Sequence, residues 1–310
     1  MHHIFASRLL LCSILLAGCT VNAPATERSG VGDAEAQQGS ADASATIDAS
    51  YADGGSTPRT CRGYTTRYWD CCKAHCAWSA NVDEGLSPVT SCNASNTPMP
   101  DMPDAPSACD TGASTASAHT CYSMRPWAVS ETLAYGFAAV PARGAICGRC
   151  YMLEFDGTGH YDAADPGSQT LVAKRMIVQA TNIGHDVDGG QFDILIPGGG
   201  VGLFDACSAQ WGVAESDELG AQYGGILTAC RETFGDHSAY SACVRERCQS
   251  LFRSPGLTEL RAGCEWFVDW YGAADNPNVD YFEVACPDAI IAVSGVDRRP
   301  FDDIRSCPGE

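Results

Sequence analysis

Eighteen cysteines in a chain of 310 residues, sixteen of them from Cys61 onward, limit what this sequence can become more than any other feature. Cysteine at this density belongs to exported chains, where disulfides form and persist. The metal-binding alternative needs paired Cys-x-x-Cys or Cys/His clusters, and only Cys147-Gly-Arg-Cys150 has that spacing. One pair without a second does not make a closed zinc site, so the cysteines are read as bridges and no metal or organic cofactor is expected. Spacing alone leaves the pairing open.

The N-terminus agrees with export. Residues 1–18 read as a signal: Arg8 supplies the positive start, and the apolar run 9–17 is shorter than the ~20 residues that cross a bilayer. The run ends Leu16-Ala17-Gly18-Cys19, which resembles the lipobox of bacterial lipoproteins. That resemblance implies a lipidated Cys19, Cys12 lost with the signal, and an exported lipoprotein anchored at the outer membrane. Residues 19–60 shrink to Ala, Ser, Asp, Gly and Thr, too little apolar surface to fold, and are read as a flexible tether.

Residues 61–310 form one continuous cysteine-stapled domain without repeats or a second linker. Lys and Arg total 19 against 38 Asp and Glu, a net charge of −19. Nucleic acid and anionic lipid need basic patches; neither is expected as a partner, and the membrane is met only through the anchor. Neutral polymers and small molecules stay open, and nothing asks for a second copy, so a monomer is expected. Short apolar or alternating runs predict strands at 66–69, 150–155, 175–180, 192–196 and 282–285, separated by Gly, Pro and Asn clusters. That pattern favours an all-β barrel with long loops. Helices are predicted at 130–139 and 239–252.

Two stretches carry chemistry. Residues 65–78 read Thr-Thr-Arg-Tyr-Trp-Asp-Cys-Cys-Lys-Ala-His-Cys-Ala-Trp, setting Asp70 beside aromatic rings and pinning it with three cysteines. Rings beside an acid suit a sugar, whose C–H face stacks while the acid handles protons or water. Residues 184–207 read Gly-His-Asp-Val-Asp-Gly-Gly-Gln-Phe-Asp-Ile-Leu-Ile-Pro-Gly-Gly-Gly-Val-Gly-Leu-Phe-Asp-Ala-Cys. The glycine run lacks the Gly-Lys-Ser/Thr of a phosphate loop, so tight turning or close approach of another segment is expected there. Asp205 reads as a turn residue. His75, His119, His160, His185 and His237 are scattered and read as solvated surface residues, and no Gly-x-Ser-x-Gly supports a Ser-His-Asp hydrolase.

Both stretches, in this order, resemble the signature blocks of glycoside hydrolase family 45, the small inverting endoglucanases, and the likeness extends from residue 65 to about 299. It implies a six-stranded double-psi β-barrel with long disulfide-stapled loops and a few short helices. It also implies endo-acting hydrolysis of β-1,4-glucan, the expected partner. Glycoside hydrolysis commonly uses two carboxyl groups, one protonated and one ionised. The resemblance makes Asp70 the general base and Asp193 the general acid. Asp186 falls where the family has a third acid on a loop over the cleft, with Asp188 a competitor for that place. Tyr68 and Trp78 match sugar-contacting rings, and Thr66, Arg67 and Gly199 complete the implied substrate-binding set. Inversion implies carboxyl groups ~6.5–9.5 Å apart.

The family's cysteine pattern implies Cys71–Cys207, Cys72–Cys109, Cys76–Cys147, Cys92–Cys121, Cys150–Cys286 and Cys248–Cys264. One family bridge is missing: Gly148 stands at one of its halves and Val296 near the other. The remaining cysteines are assigned as Cys61–Cys307, tying the termini, and Cys230–Cys243 within an unusually long segment, 231–261. Each bridge stabilises by ~2–4 kcal/mol. The rival reading is a non-hydrolytic expansin-like protein, which shares the barrel and keeps an acid like Asp193 but typically lacks the base; Asp70 in its full motif favours the enzyme.

Overall fold

The computed structural model describes residues 60–111, 116–184, 186–213 and 216–300. The signal, Cys19, nearly all of the tether, and Cys307 lie outside them. Cys61 is disulfide-bonded. No helix among the described residues is long and apolar enough to cross a membrane.

Sheet dominates. The described residues hold seven strands in one sheet: β1 (Cys61–Tyr68), β2 (Trp127–Ala128), β3 (Leu133–Val140), β4 (Cys150–Gly159), β5 (Arg175–Ile183), β6 (Gln191–Leu195) and β7 (Pro277–Val284). Their order is β2-β3-β5-β4-β7-β1-β6, and a further β3–β6 pairing returns the ladder on itself. β1 runs parallel to β6 and β3 parallel to β5, while the β4–β5, β4–β7, β1–β7 and β3–β6 pairs are antiparallel. Phe137, Leu153, Met176, Val178 and Ile194 are fully buried at the centre. The rings of Tyr151, Phe192 and Tyr281 meet edge to face beside them, the geometry that aromatic quadrupoles favour.

The five predicted strands are present, mostly longer than their apolar cores. The helix predicted at 130–139 is not: this stretch is β3. Ala134, Ala138 and Ala139 are helix formers by propensity, yet here they are buried small residues in a strand paired with β5 on one side and β2 and β6 on the other. A Cβ at Gly136 would come within 2.6 Å of Met176 Cε. Tight packing between strands, not intrinsic preference, decides the conformation.

The helices are α1 (Ala108–Thr111), α2 (Pro166–Gln169), α3 (Cys207–Trp211), α4 (Gly225–Thr233), α5 (His237–Leu251), α6 (Thr258–Asp269) and α7 (Asp288–Ser294). The second predicted helix is α5, capped by the Asp236 carboxylate, which accepts from Ala239 N at 3.1 Å. Segment 231–261 belongs to a layer of α4, α5 and α6. Cys230–Cys243 ties α4 to α5, and Cys248–Cys264 ties α5 to α6. Five more bridges join Cys71 to Cys207, Cys72 to Cys109, Cys76 to Cys147, Cys92 to Cys121, and Cys150 to Cys286. His119 is not at the surface: it is fully buried, on a segment whose backbone pairs with Cys92.

Gly148 and Val296 face each other. A Cβ built at Gly148 would lie 2.6 Å from Val296 Cγ1, and Gly148 has φ +83°. The fully buried Gln179 donates from Nε2 to both carbonyls, Gly148 O at 3.1 Å and Val296 O at 3.0 Å. An isopropyl group and an amide clip thus join the two segments. Gly148→Ala is expected to destabilise by ~1–3 kcal/mol through positive φ and overpacking. Combined with Val296→Ala, which opens the space, it should cost less than the sum of the two single changes. A denaturant double-mutant cycle giving plain additivity would refute the contact.

Candidate functional site

The parallel pairing of β1 with β6 sets Thr66 opposite Asp193. Alternation along β1 turns Thr65 and Arg67 inward and leaves Tyr64, Thr66 and Tyr68 half-buried on the other face. The same alternation puts Gln191 and Asp193 together on β6. Thr66 Oγ1 donates to Asp193 Oδ1 at 2.6 Å and accepts from Gln191 Nε2 at 2.9 Å. Gln191 Oε1 in turn accepts from the Tyr64 hydroxyl at 3.0 Å. A hydroxyl carries one proton, so the amide's donation aims that of Thr66 at the carboxylate. Burial pushes the Asp193 carboxyl up to about 7; the Thr66 bond pulls it down, the Asp186 charge pushes up, Arg67 pulls down and Asp70 pushes up.

Just past β1 the chain turns. Half-buried Asp70 is followed by Cys71 at φ 61°, a left-handed conformation costing an ordinary residue ~1–2 kcal/mol. Cys71–Cys207 and Cys72–Cys109 hold that turn, and the Asp70 carbonyl accepts from Ala206 N at 3.0 Å. The Asp70 carboxylate accepts from Cys72 N at 2.9 Å. Burial pushes this carboxyl up to about 6, with the Cys72 N–H opposing and the Asp205 charge adding. Asp205 itself caps α3, accepting from Ser208 N at 3.0 Å and Ser208 Oγ at 2.6 Å.

Asp70 and Asp193 open onto one groove of ≈ 270 Å³, which Tyr68, Trp78, Asp186 and Gly199 also line. Its floor is the glycine turn after β6. A Cβ at Gly199 would strike Tyr68 N at 2.8 Å, and one at Gly225 would strike Gly198 O at 2.0 Å. The run therefore serves close backbone approach. Trp78 is half-buried, with Lys73 Nζ 3.3 Å above one face of its ring. Lys73 also donates to the carbonyls of Pro103 and Ala105, and burial brings its amine down to about 8.

Other sequence-derived candidates separate. Asp186 is exposed at the groove, and its charge acts on Asp193. The Asp188 side chain is 87% exposed and pairs with Arg143 at 2.9 Å, outside the groove lining. Arg67 borders the groove, but its guanidinium donates to Asp275 Oδ1 at 2.9 Å and Gly224 O at 3.1 Å. It fastens the loop before α4. Arg231 pairs with the same Asp275, so α4 and β1 share one carboxylate. His185 lies outside the described residues.

Two residues were missed by sequence reasoning. Asn182 on β5 donates to the Tyr68 hydroxyl at 3.1 Å and accepts from His75 N at 2.8 Å, fixing the Tyr68 hydroxyl at the groove. Burial first, then the charges of Asp70 and Asp193, push that phenol well above its usual value. Tyr223, 54% exposed before α4, borders the groove beside Gly224; an aromatic preceding two glycines was the available signal. Among the described residues no group of three His, Cys, Asp or Glu is placed to hold a metal ion.

Comparison with known proteins gives the same direction. The profile of glycosyl hydrolase family 45 matches residues 62–297. Endoglucanase B of Cellvibrio japonicus (strain Ueda107) is 55% identical over 252 residues, 80% of this chain and 48% of that protein. An endoglucanase of Cryptopygus antarcticus is 35% identical over 242 residues, covering 77% of this chain and 90% of the relative. The crystal structure of a cellulase from that Antarctic springtail superposes with a TM-score of 0.59 at 34% identity, covering 77% of this chain and 98% of that one. The chain spans about half the length of the Cellvibrio protein, 48%.

Removing the Thr66 hydroxyl removes the donor that favours ionised Asp193. Thr66→Val is therefore expected to move the Asp193 titration above about 7. Carbon-13 NMR of the side-chain carboxyl reads this directly; an unchanged or lower midpoint would contradict the arrangement.

Proposed function

The chain belongs to glycosyl hydrolase family 45, and we propose that it is an inverting endo-β-1,4-glucanase with Asp193 as general acid and Asp70 as general base. The observation that carries the reading is two carboxyls on one groove in unlike surroundings: Asp193 accepts from Thr66 beside the Asp186 charge, and Asp70 accepts from the Cys72 N–H. Burial pushes both up, Asp193 to about 7 and Asp70 to about 6, which favours the proton on Asp193. Environments that push two titratable groups apart mark acid and base roles. Asp193 gives its proton to the leaving glycosidic oxygen, and Asp70, its carboxylate fixed by the Cys72 N–H, takes one from the attacking water. Asp186 is the auxiliary acid, since its negative charge raises the Asp193 carboxyl and so favours the protonated form.

The groove is open, which suits an enzyme that cuts within a chain. Tyr68 and Trp78 supply faces for sugar rings at and beside the point of cleavage, Thr66 holds the acid, and the Gly199 backbone lets the chain approach the floor. The two parallel pairs and the β3–β6 closure support assigning the sheet as a six-stranded double-psi barrel, with β2 appended. The protein works as an exported monomer tethered through Cys19, a reading that rests on the sequence of residues 1–60.

The full-length protein is expected to thin carboxymethyl-cellulose rapidly and release new reducing ends. Asp193→Asn should lower kcat by about 10²–10⁴-fold, the usual contribution of a positioned proton donor. Polarimetry or proton NMR of the first product should show the inverted anomer. Glucan binding without new ends from the wild type would sink this reading and leave the expansin-like one.

The pH profile has a definite sign. Activity rises as Asp70 ionises through about 6 and falls as Asp193 loses its proton through about 7. The expected curve is a narrow bell between those values, its limbs belonging to the coupled pair. An activity plateau extending well above the upper value would exclude Asp193 as the acid.

A further inference from the structure

One aromatic cluster touches the chemistry above only through the Tyr64 hydroxyl, which donates to Gln191. His160 stacks on Tyr64 with centroids 3.8 Å apart and planes 8° from parallel. Tyr161 meets both edge-on, at 4.8 Å from His160 and 6.2 Å from Tyr64. Tyr161 is 75% exposed. A lone exposed tyrosine needs no explanation; three rings in a fixed arrangement do.

The loop carrying His160 and Tyr161 is built to hold them. β4 ends at Gly159, where a Cβ would lie 2.4 Å from the Asp162 carbonyl, so the turn closes only on glycine. His160 N donates to Asn276 O at 2.8 Å. At the loop's far end the buried Asp165 carboxylate accepts from Ser168 N at 2.7 Å, Ser168 Oγ at 2.8 Å and Asp275 N at 3.0 Å. Apolar rings are thus presented to water on a preorganised segment, with little ordering left to cost affinity.

Hydrogen bonds link the cluster to residues of a second depression, which shares Arg67, Asp186 and Asp193 with the groove. Thr66, Gln191, Asp193 and Asn276 line that depression. Gln191 receives the Tyr64 hydroxyl, and the Asn276 carbonyl receives His160 N. Tyr64, Thr66 and Tyr68 share one face of β1, so the cluster stands roughly 13 Å along the strand from the ring beside the carboxylates.

We propose that Tyr64, His160 and Tyr161 form a distal subsite for a neutral pyranose, lengthening the glucan-binding groove beyond Gln191 and Asn276; this rests on the glucanase reading. The adjoining depression carries the exposed Asp186, whose charge disfavours anionic polysaccharides and leaves neutral sugars. A pyranose offers its C–H face to Tyr161 and its hydroxyls to the polar edge at His160 and Asn278, whose Nδ1 and Oδ1 lie 3.3 Å apart.

The test is chain-length dependence in the full-length protein. Tyr161→Ala should leave kcat/KM on cellotetraose within about twofold of wild type and lower it on cellohexaose about five- to tenfold, the worth of one stacked ring. Tyr161→Phe keeps the ring and should restore the longer substrate. Equal losses at both lengths, or none at either, would overturn the subsite while leaving the glucanase reading intact. Wild-type protein that releases no ends from either oligosaccharide would overturn both.

Discussion

The groove depends on one contact, the parallel pairing of β1 with β6. It sets Thr66 against Asp193 although the two residues are 127 apart in sequence. Closing so long a loop costs conformational entropy. The bridge between Cys71 and Cys207 spans 136 residues and closes nearly the same loop, just beyond the paired strands. Hydrogen bonds and a covalent link thus enforce one juxtaposition, and the left-handed Cys71 between them carries the resulting strain. Asp70 lies on one side of that knot and Asp193 on the other. Their spacing is a property of the strand pair, not of any flexible segment.

Much of this was legible in the residues, for reasons that differ from place to place. Asp70 and Asp193 stood out because their runs, through Tyr68 and Trp69 or Phe192 and the following glycines, resemble a family signature; residue chemistry by itself leaves both open as turn acids. The disulfide pairings came through resemblance, since spacing admits many connectivities. The vacated bridge was visible as an absence, Gly148 and Val296, and the two residues touch.

What was illegible is what depends on partners distant in the chain. The alanines of β3 carry helix propensity, and only the strands on either side make them strand. Asn182 looks like any polar residue near the end of β5 until Tyr68 is folded against it. His119 reads as surface by composition and is buried where its backbone pairs with Cys92, which is itself bridged to Cys121. Arg67 looks like a substrate clamp in the motif, but its charge is engaged by Asp275, which Arg231 also holds. The helical layer of α4 to α6, opaque as an extra length of chain, thereby bears on the groove wall.

The glycine floor has a consequence for how such a groove can diverge. At Gly198, Gly199 and Gly200 the main chain packs against β1 and the start of α4, with no room for side chains. Point substitution has no side chain to alter at these three positions. Variation in the groove's lining is left to its banks, on the segments carrying Trp78, Phe204 and Tyr223. The bed is fixed, and the shores are free to drift.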